Sequence, residues 1–330
     1  MSTPSNTSVE RREVLQDNTP PPASPLCMRR EPQSKTAARH EYLRYDEILV
    51  QPIHIDAHQH FWIYNPSEYA WIDESMSALR RNFMPADLKP ELDNNDFHGS
   101  VAVQVRQTPE ETRWLLELAE RCPSILGVVG WADLRSPDIR SQLKVLTRNP
   151  KLVGIRHIVQ SEPDDRFLLQ RDFLRGVSAL EEFDLAYDVL IYPRHLPVAA
   201  DFVERFPRQR FVLDHLAKPP IKSGEIDSWA RGIRRLANFP NVFCKLSGLV
   251  TEADWQHWQP AHIAPFLDVA FESFGPDRLM VGSDWPVCLV AAPYVRAVNV
   301  VKTYLTAQKP HWQDAVLGGN AQQFWHLRAM

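Results

Sequence analysis

Cysteine is scarce in this sequence, and its few cysteines lie far apart. The four are Cys27, Cys122, Cys244 and Cys288, and none forms a C-x-x-C pair. This spacing excludes a zinc ribbon and a C-x-x-C redox motif. We therefore expect free thiols, most of them buried.

Long apolar segments and a strong excess of charge are also missing. No apolar run reaches the roughly 18 residues that would predict a membrane span, and the N-terminal segment lacks the apolar centre of a secretory signal. The formal net charge of -4 gives no general attraction to nucleic acid or to an anionic membrane. We therefore expect a cytoplasmic protein whose partner is a small molecule, and a homo-oligomer remains open.

The composition that is present is that of a globular protein. Hydrophobic residues make up 44% of the 330 residues and charged residues 24%, which is ordinary for a chain that buries a core. Residues 1–48 are rich in Ser, Thr, Pro, Arg and Glu and have no sustained periodicity, so we expect a disordered or weakly ordered extension. Residues 49–330 then form a single domain, because an α/β barrel uses about 250 residues.

Short apolar runs alternate with longer amphipathic stretches after the extension, which is typical of repeated βα units. The predicted strands are residues 53–57, 99–105, 125–131, 152–157, 185–191, 210–215, 242–247 and 278–284. The predicted helices are residues 109–122, 135–148, 171–183, 197–206, 224–238 and 293–307. This α/β pattern favours a (β/α)₈ TIM barrel, with a doubly wound open sheet as the alternative.

Most of the predicted strands end in a polar or charged side chain. In a barrel the carboxyl ends of the strands converge on one mouth, where catalytic groups are found. We therefore expect the following residues near that mouth: His58, His60, Gln104, Asp133, Arg156, His157, Asp188, His215, Lys245 and Asp284.

A His-x-His pair at the end of the first strand is the strongest single signal. His58 and His60 are two residues apart, so on a strand both side chains point to the same side and can chelate one cation. An isolated pair of this kind is as often a polar rim as a metal site. His215 and Asp284, each at another strand end, favour the metal site, and Asp284 can serve as ligand, general base or both.

Three segments together resemble the amidohydrolase superfamily, in its branch of sugar-lactone and related lactone hydrolases. The resemblance runs from about residue 53 to residue 327 and is carried by His58-Gln59-His60-Phe61-Trp62, Asp214-His215-Leu216-Ala217-Lys218-Pro219 and Gly282-Ser283-Asp284-Trp285-Pro286. It implies a distorted (β/α)₈ barrel with His58, His60, His215 and Asp284 in the catalytic centre. It further implies that water opens a lactone ring and that Asp284 takes the proton.

The resemblance also bears on the cofactor. Binuclear members of the superfamily bridge two metals with a carboxylated lysine on the fourth strand, whereas this strand carries Arg156 and His157 and contains no lysine. We therefore expect one divalent metal ion, with zinc as its identity, or none. The ligands would come from His58, His60, His215 and Asp284.

Four further residues are candidate substrate contacts. Arg156 and His157 offer donors to a carbonyl or an acidic group, although neighbouring residues on a strand face opposite ways. Gln104 can both donate to and accept from sugar hydroxyls, and Trp62 follows the histidine pair. Strand capping and loop packing are equally good interpretations for Gln104 and Trp62.

The leading functional hypothesis is a lactonase, a hydrolase of a carboxylic ester bond in carbohydrate catabolism, acting on an aldonolactone of a deoxy sugar such as L-fucose or L-rhamnose. One alternative is a hydrolase of a dicarboxylate lactone or pyrone from aromatic catabolism, and another is an amidohydrolase-type decarboxylase. A mouth rich in cations would favour these two alternatives. The third alternative is a binding protein that has the barrel fold but no catalytic activity. Loss of a residue of the catalytic centre would indicate this alternative.

Overall fold

The computed structural model describes residues 52–328, and the extension predicted for residues 1–48 lies outside them. Eight parallel strands form one sheet in which each strand pairs with the next along the chain. They are β1 (Ile55–Gln59), β2 (Gly99–Val103), β3 (Ile125–Gly130), β4 (Leu152–His157), β5 (Ala186–Val189), β6 (Phe211–Leu213), β7 (Val242–Leu246) and β8 (Leu279–Val281). All eight predicted strands are present, although several are shorter than predicted.

The sheet returns to its first strand. The Asp284 N–H, just after β8, donates to the His58 carbonyl over 2.8 Å, and the His60 N–H donates to the Trp285 carbonyl over 2.7 Å. Sequential strand order together with this closure confirms the (β/α)₈ barrel and excludes the doubly wound sheet.

Helices fill the connections between strands and cover the outside of the barrel. They are α1 (Pro85–Asn94), α2 (Pro109–Arg121), α3 (Ile139–Leu146), α4 (Arg171–Leu180), α5 (Leu196–Val203), α6 (Asp227–Ala237), α7 (Pro260–Phe274), α8 (Tyr294–Gln308) and α9 (Asn320–Phe324). The sequence did not predict α1, α7 and α9. Both α1 and α7 contain an internal proline, Pro90 and Pro265 respectively. Because proline removes a helical hydrogen bond, their sequences resemble interrupted helices.

The chain after α8 closes the floor of the barrel. Phe324, Trp325 and Leu327 pack in one apolar cluster with side chains from the strands, among them Val101 of β2 and Met280 of β8. This end of the barrel is therefore closed by apolar side chains, and the mouth lies at the opposite end, where the strands finish.

Two other expectations can be compared with the described residues. Cys122, Cys244 and Cys288 are free thiols, and the latter two are buried, as expected. Among the helices of residues 52–328, none combines the length and the apolar character that crossing a membrane requires.

Candidate active site

Four residues predicted from the sequence meet around the carboxylate of Asp284. The Oδ1 atom of Asp284 lies 3.3 Å from His60 Nε2 and 3.9 Å from both His58 Nε2 and His215 Nε2. His58 Nε2 and His60 Nε2 are 3.2 Å apart. All four side chains are buried, so three imidazoles and one carboxylate share a small space that is shielded from bulk water.

His215 reaches this centre because the chain leaves β6 in an unusual conformation. His215, Leu216, Ala217 and Lys218 all have φ between 53° and 56°, the left-handed region that L residues avoid. Asp214 and His215 therefore do not alternate as they would on a strand, and both approach the centre. Gly248 leaves room for the imidazole of His215, because a Cβ at position 248 would lie only 2.7 Å from His215 Nδ1.

The first strand also departs from regular alternation of its side chains. The pairing register of β1 with β2 shifts between Asp56 and Gln59, so Asp56 and His58 do not share a face as strict alternation would require. The Asp56 carboxylate instead accepts from the Ser283 N–H over 2.8 Å, the Ser283 hydroxyl over 2.6 Å and the Tyr294 hydroxyl over 3.0 Å. Through these hydrogen bonds Asp56 of β1 holds Ser283, the residue before Asp284, and also contacts the first residue of α8.

The donor set fits a single tetrahedral metal ion. Metal–nitrogen and metal–oxygen bonds of about 2.0–2.2 Å in a tetrahedron require donor atoms roughly 3.3–3.6 Å apart. His58, His60 and Asp284 offer donor atoms separated by 3.2, 3.3 and 3.9 Å. His60 Nδ1 lies 2.7 Å from the Val103 carbonyl. Since that contact requires a proton on Nδ1, the lone pair of His60 Nε2 faces the centre.

Arg156 of β4 brings a cation into the same space. Its Nη1 lies 3.3 Å from His58 Nε2 and donates to Asp214 Oδ2 over 3.0 Å. Its Nη2 donates to the Gln104 carbonyl. A guanidinium beside His58 disfavours a second metal ion next to the first, because the two positive charges repel each other where little water screens them.

A buried charge cluster supports the centre from below. We use this term for Arg156, Asp188, Asp214 and Lys245. The Lys245 ammonium contacts an Asp188 oxygen, lies 2.9 Å from Asp214 Oδ1 and lies 3.2 Å from His58 Nδ1. Lys245, Asp188 and Asp214 are fully buried, and the cluster contains two positive and two negative groups. Burial raises the pKa of Asp188, and the Lys245 ammonium opposes this rise, so the charges balance when Asp188 is ionised.

Burial and the neighbouring charges set the protonation of the centre. Burial alone would raise the pKa of Asp284, but the imidazoles of His215, His60 and His58 hold this pKa well below its usual range. Burial lowers the pKa of His215 to about 4, despite the opposing effect of Asp284. At neutral pH the site therefore has an ionised carboxylate beside a neutral imidazole, the states that a general base and its partner need.

His215 should make the stability of the protein depend on pH. Its pKa is 6.5 in the unfolded chain and about 4 in the folded protein. Between these values the unfolded chain binds more protons, so the free energy of unfolding should fall as the pH falls from 6.5 towards 4. The loss should reach about 2–3 kcal/mol, at about 1.4 kcal/mol per pKa unit.

Urea unfolding of the wild type and of His215→Gln at about pH 7.5 and about pH 4.5 measures this effect. Groups distant from His215 titrate equally in both proteins, so the difference between the two pH dependences reports His215 together with its electrostatic coupling to Asp284. Equal pH dependences in the two proteins would contradict the assignment.

The centre opens onto a cavity of about 450 Å³, lined by His60, Arg156, His215 and Asp284 together with residues of several loops. This volume is suitable for a small molecule. The predicted metal ligand His58 lies just below, in contact with the lining residues His60 and Arg156.

Three predicted substrate contacts lie away from the cavity lining. Gln104 donates from its side-chain amide to the Arg156 carbonyl over 3.1 Å, and so joins β2 to β4. His157 faces Glu162 at 2.7 Å and stacks on Phe167. Trp62 is fully buried, and its indole N–H donates to the Arg81 carbonyl over 2.9 Å. Their contacts are structural, and of the Arg156 and His157 pair it is Arg156 that faces the site.

Most of the cavity wall was not predicted from the sequence. It includes Trp71, Gln160, Tyr192, Glu252 and Trp255, all on loops after the strands. Lys218, on the loop after β6, also lines the cavity. The one signal that could have found these residues is their place in loops after predicted strands, which form the active-site face of a barrel.

Comparisons with known proteins agree with this geometry. The amidohydrolase family model matches residues 55–327. The chain is 42% identical over 286 residues to L-fucono-1,5-lactonase of Burkholderia multivorans, which covers 83% of this chain and 96% of that relative. It is 23% identical over 209 residues to L-rhamnono-gamma-lactonase of Scheffersomyces stipitis, which covers 56% of this chain and 60% of that relative. A crystal structure of an amidohydrolase from Burkholderia multivorans with bound zinc is 41% identical, covers 84% of this chain and 100% of that chain, and has a TM-score of 0.81.

Proposed function

This chain belongs to the amidohydrolase family and is a lactonase, and we propose that it opens an aldonolactone with Asp284 as the general base. One observation carries the proposal. The Asp284 carboxylate lies at the wall of a cavity of about 450 Å³ and is 3.3 Å from His60 and 3.9 Å from His58 and His215. A carboxylate held ionised at neutral pH beside a substrate cavity is placed to take a proton from water.

The reaction proceeds by addition and elimination at the lactone carbonyl. Asp284 accepts one proton from a water molecule, whose oxygen forms a bond to the carbonyl carbon. The Arg156 guanidinium, which also lines the cavity, stabilises the negative charge that develops on the carbonyl oxygen. The bond from the carbon to the ring oxygen then breaks, and the ring oxygen receives the proton that Asp284 had taken. The product is a hydroxy acid.

A metal ion is the cofactor that the donor set accommodates. His58, His60 and Asp284 would hold it, with His215 close enough to join them, and we propose zinc as its identity. Bound there, zinc would polarise the lactone carbonyl and lower the pKa of a coordinated water. Arg156 beside His58 disfavours a second ion.

The charges of the cavity wall favour an uncharged substrate. Of its described lining residues, Arg156 and Lys218 are the lysine and arginine present, and each already faces a carboxylate, Asp214 at 3.0 Å and Glu252 at 3.3 Å respectively. Arg106 is paired with Glu68 at 2.7 Å and lies outside the lining. A dicarboxylate substrate needs free cations, so a polyhydroxylated neutral lactone is the better fit.

A panel of substrates tests this choice. We expect purified protein to release acid from L-fucono-1,5-lactone or L-rhamnono-1,4-lactone with kcat/KM of at least about 10⁴ M⁻¹s⁻¹. A pH-indicator assay detects the released acid, and elemental analysis of the same sample gives the zinc content per chain. A 2-pyrone dicarboxylate should be hydrolysed far more slowly. Preference for the dicarboxylate, or inactivity towards every sugar lactone, would contradict the proposed substrate class.

A further inference from the structure

An ion pair on the cavity wall has no part in the proposed reaction. Lys218 Nζ lies 3.3 Å from Glu252 Oε1, and both residues line the cavity. Their side chains are only 21% and 23% exposed. The two charges are thus largely removed from water, at a cost that an apolar pair would avoid, and this cost suggests that the site uses them.

The fold fixes this pair relative to the centre. Lys218 ends the left-handed turn that begins at His215, and its N–H donates to the His215 carbonyl over 2.7 Å. The Glu252 carbonyl accepts from the Lys222 N–H over 3.1 Å, which joins the loop after β7 to the loop after β6. The pair therefore keeps a constant position with respect to the imidazole of His215.

The pair alters the electrostatics of the wall without giving it a net charge. Burial raises the pKa of Glu252, and the Lys218 ammonium opposes this rise. Glu252 Oε1 faces Lys218, and no polar contact to Oε2 is found within residues 52–328. A carboxylate with a free oxygen and an ammonium with further N–H groups can together accept from and donate to hydroxyls.

Aromatic rings stand beside the pair. Lys218 Nζ lies 5.7 Å from the centre of the Tyr192 ring, and Tyr192 and Trp255 both line the cavity. The Trp255 indole N–H donates to the Thr251 carbonyl over 2.8 Å, which fixes its ring on the segment that carries Glu252. Aromatic faces cover the apolar C–H surface of a sugar, and charged groups between them bind its hydroxyls.

We propose that Lys218 and Glu252 form a hydroxyl-binding subsite that determines specificity, so that the enzyme prefers polyhydroxylated lactones to lactones without hydroxyls. The Glu252 carboxylate accepts hydrogen bonds from ring or side-chain hydroxyls of the substrate, and the Lys218 ammonium donates to a hydroxyl oxygen. This inference rests on the proposed hydrolysis of an aldonolactone. It adds the residues that distinguish such a substrate from a plain cyclic ester.

Selectivity between two substrates tests the inference. The pair of substrates is L-fucono-1,5-lactone and δ-valerolactone, which has the same ring size and no hydroxyls. We expect Glu252→Gln to lower the ratio of their kcat/KM values by roughly 10- to 100-fold, since hydrogen bonds to a charged group are lost for one substrate only. The double variant Lys218→Met, Glu252→Gln should show at least the same loss and leaves neither charge unpaired.

Lys222→Met provides the matched control. Lys222 is exposed, lies outside the cavity lining and is four residues from Lys218 on the same loop, so its removal should leave the ratio unchanged. Melting temperatures show whether each variant is folded.

An unchanged ratio in both Glu252 variants would overturn the subsite, as would an equal loss for both lactones, which would indicate a structural role. If the wild type hydrolysed δ-valerolactone but not the sugar lactone, the proposed substrate class would fail and the subsite with it. The wild-type control thus distinguishes that failure from failure of the subsite alone.

Discussion

Asp284→Asn should reduce kcat for lactone opening by at least about 1000-fold, in the upper part of the range for loss of a general base. The amide has nearly the shape of the carboxylate but cannot accept a proton at neutral pH. The backbone bond from the Asp284 N–H to the His58 carbonyl, 2.8 Å long, does not depend on the side chain. The barrel should therefore stay closed while the reaction stops.

Asp277→Asn is the matched control for this experiment. Asp277 is exposed and precedes β8, whereas Asp284 follows the same strand. Steady-state kinetics of both variants, with circular dichroism to verify folding, separates loss of the base from loss of structure. If Asp284→Asn kept more than about a tenth of the wild-type kcat, another group would have to take the proton.

Lys245→Met should produce the largest loss of stability. It removes one of the two cations from the buried charge cluster and leaves Asp188 and Asp214 facing each other inside the barrel. Removing one partner of a buried ion pair costs about 3–5 kcal/mol, because the remaining charge is unpaired where water cannot reach it. Urea unfolding at neutral pH measures the loss.

A second variant identifies the cause. Lys245→Met with Asp188→Asn removes one charge of each sign and should recover part of the lost stability, since the cluster is again balanced. Lys89→Met serves as the surface control, because Lys89 forms an exposed pair with Asp93 at 2.5 Å. Its loss should be below about 1 kcal/mol. A double variant no more stable than Lys245→Met would show that packing, not charge, dominates.

The sequence was informative about the barrel and the centre for the same reason. Alternating βα units favour a barrel, and a barrel brings the ends of its strands together. His58, His60, His215 and Asp284 could therefore be grouped although 226 positions separate His58 from Asp284. This grouping of the four residues did not require the conformation of any loop to be known.

Side-chain direction was harder to predict. Strand alternation separates Arg156 from His157, and it indicates that both cannot enter the mouth, but not which one does. His215 escapes alternation through a left-handed turn that contains Leu216 and Ala217 and no glycine, so its sequence gives no sign of the turn. The sequence likewise gives no sign of the register shift in β1.

The residues of the cavity wall follow no local pattern. Lys218 and Glu252 are 34 positions apart on different loops, and their pairing depends on how β6 and β7 lie side by side. Trp62 looked like a substrate contact because it follows the histidine pair. The fold instead buries it against Tyr69 and Phe83.

The apolar floor of the barrel also has a consequence for the order of synthesis. Phe324, Trp325 and Leu327, which fill it, are translated after all eight strands. Until they emerge from the ribosome, these three side chains cannot contribute to the apolar cluster that they form with the strands. A chain that folds from its N-terminal end therefore gains its final core contacts last. The ammonium of Lys245 lies 5.1 Å from the Trp325 ring, so the charge cluster is sealed from beneath in that same last step.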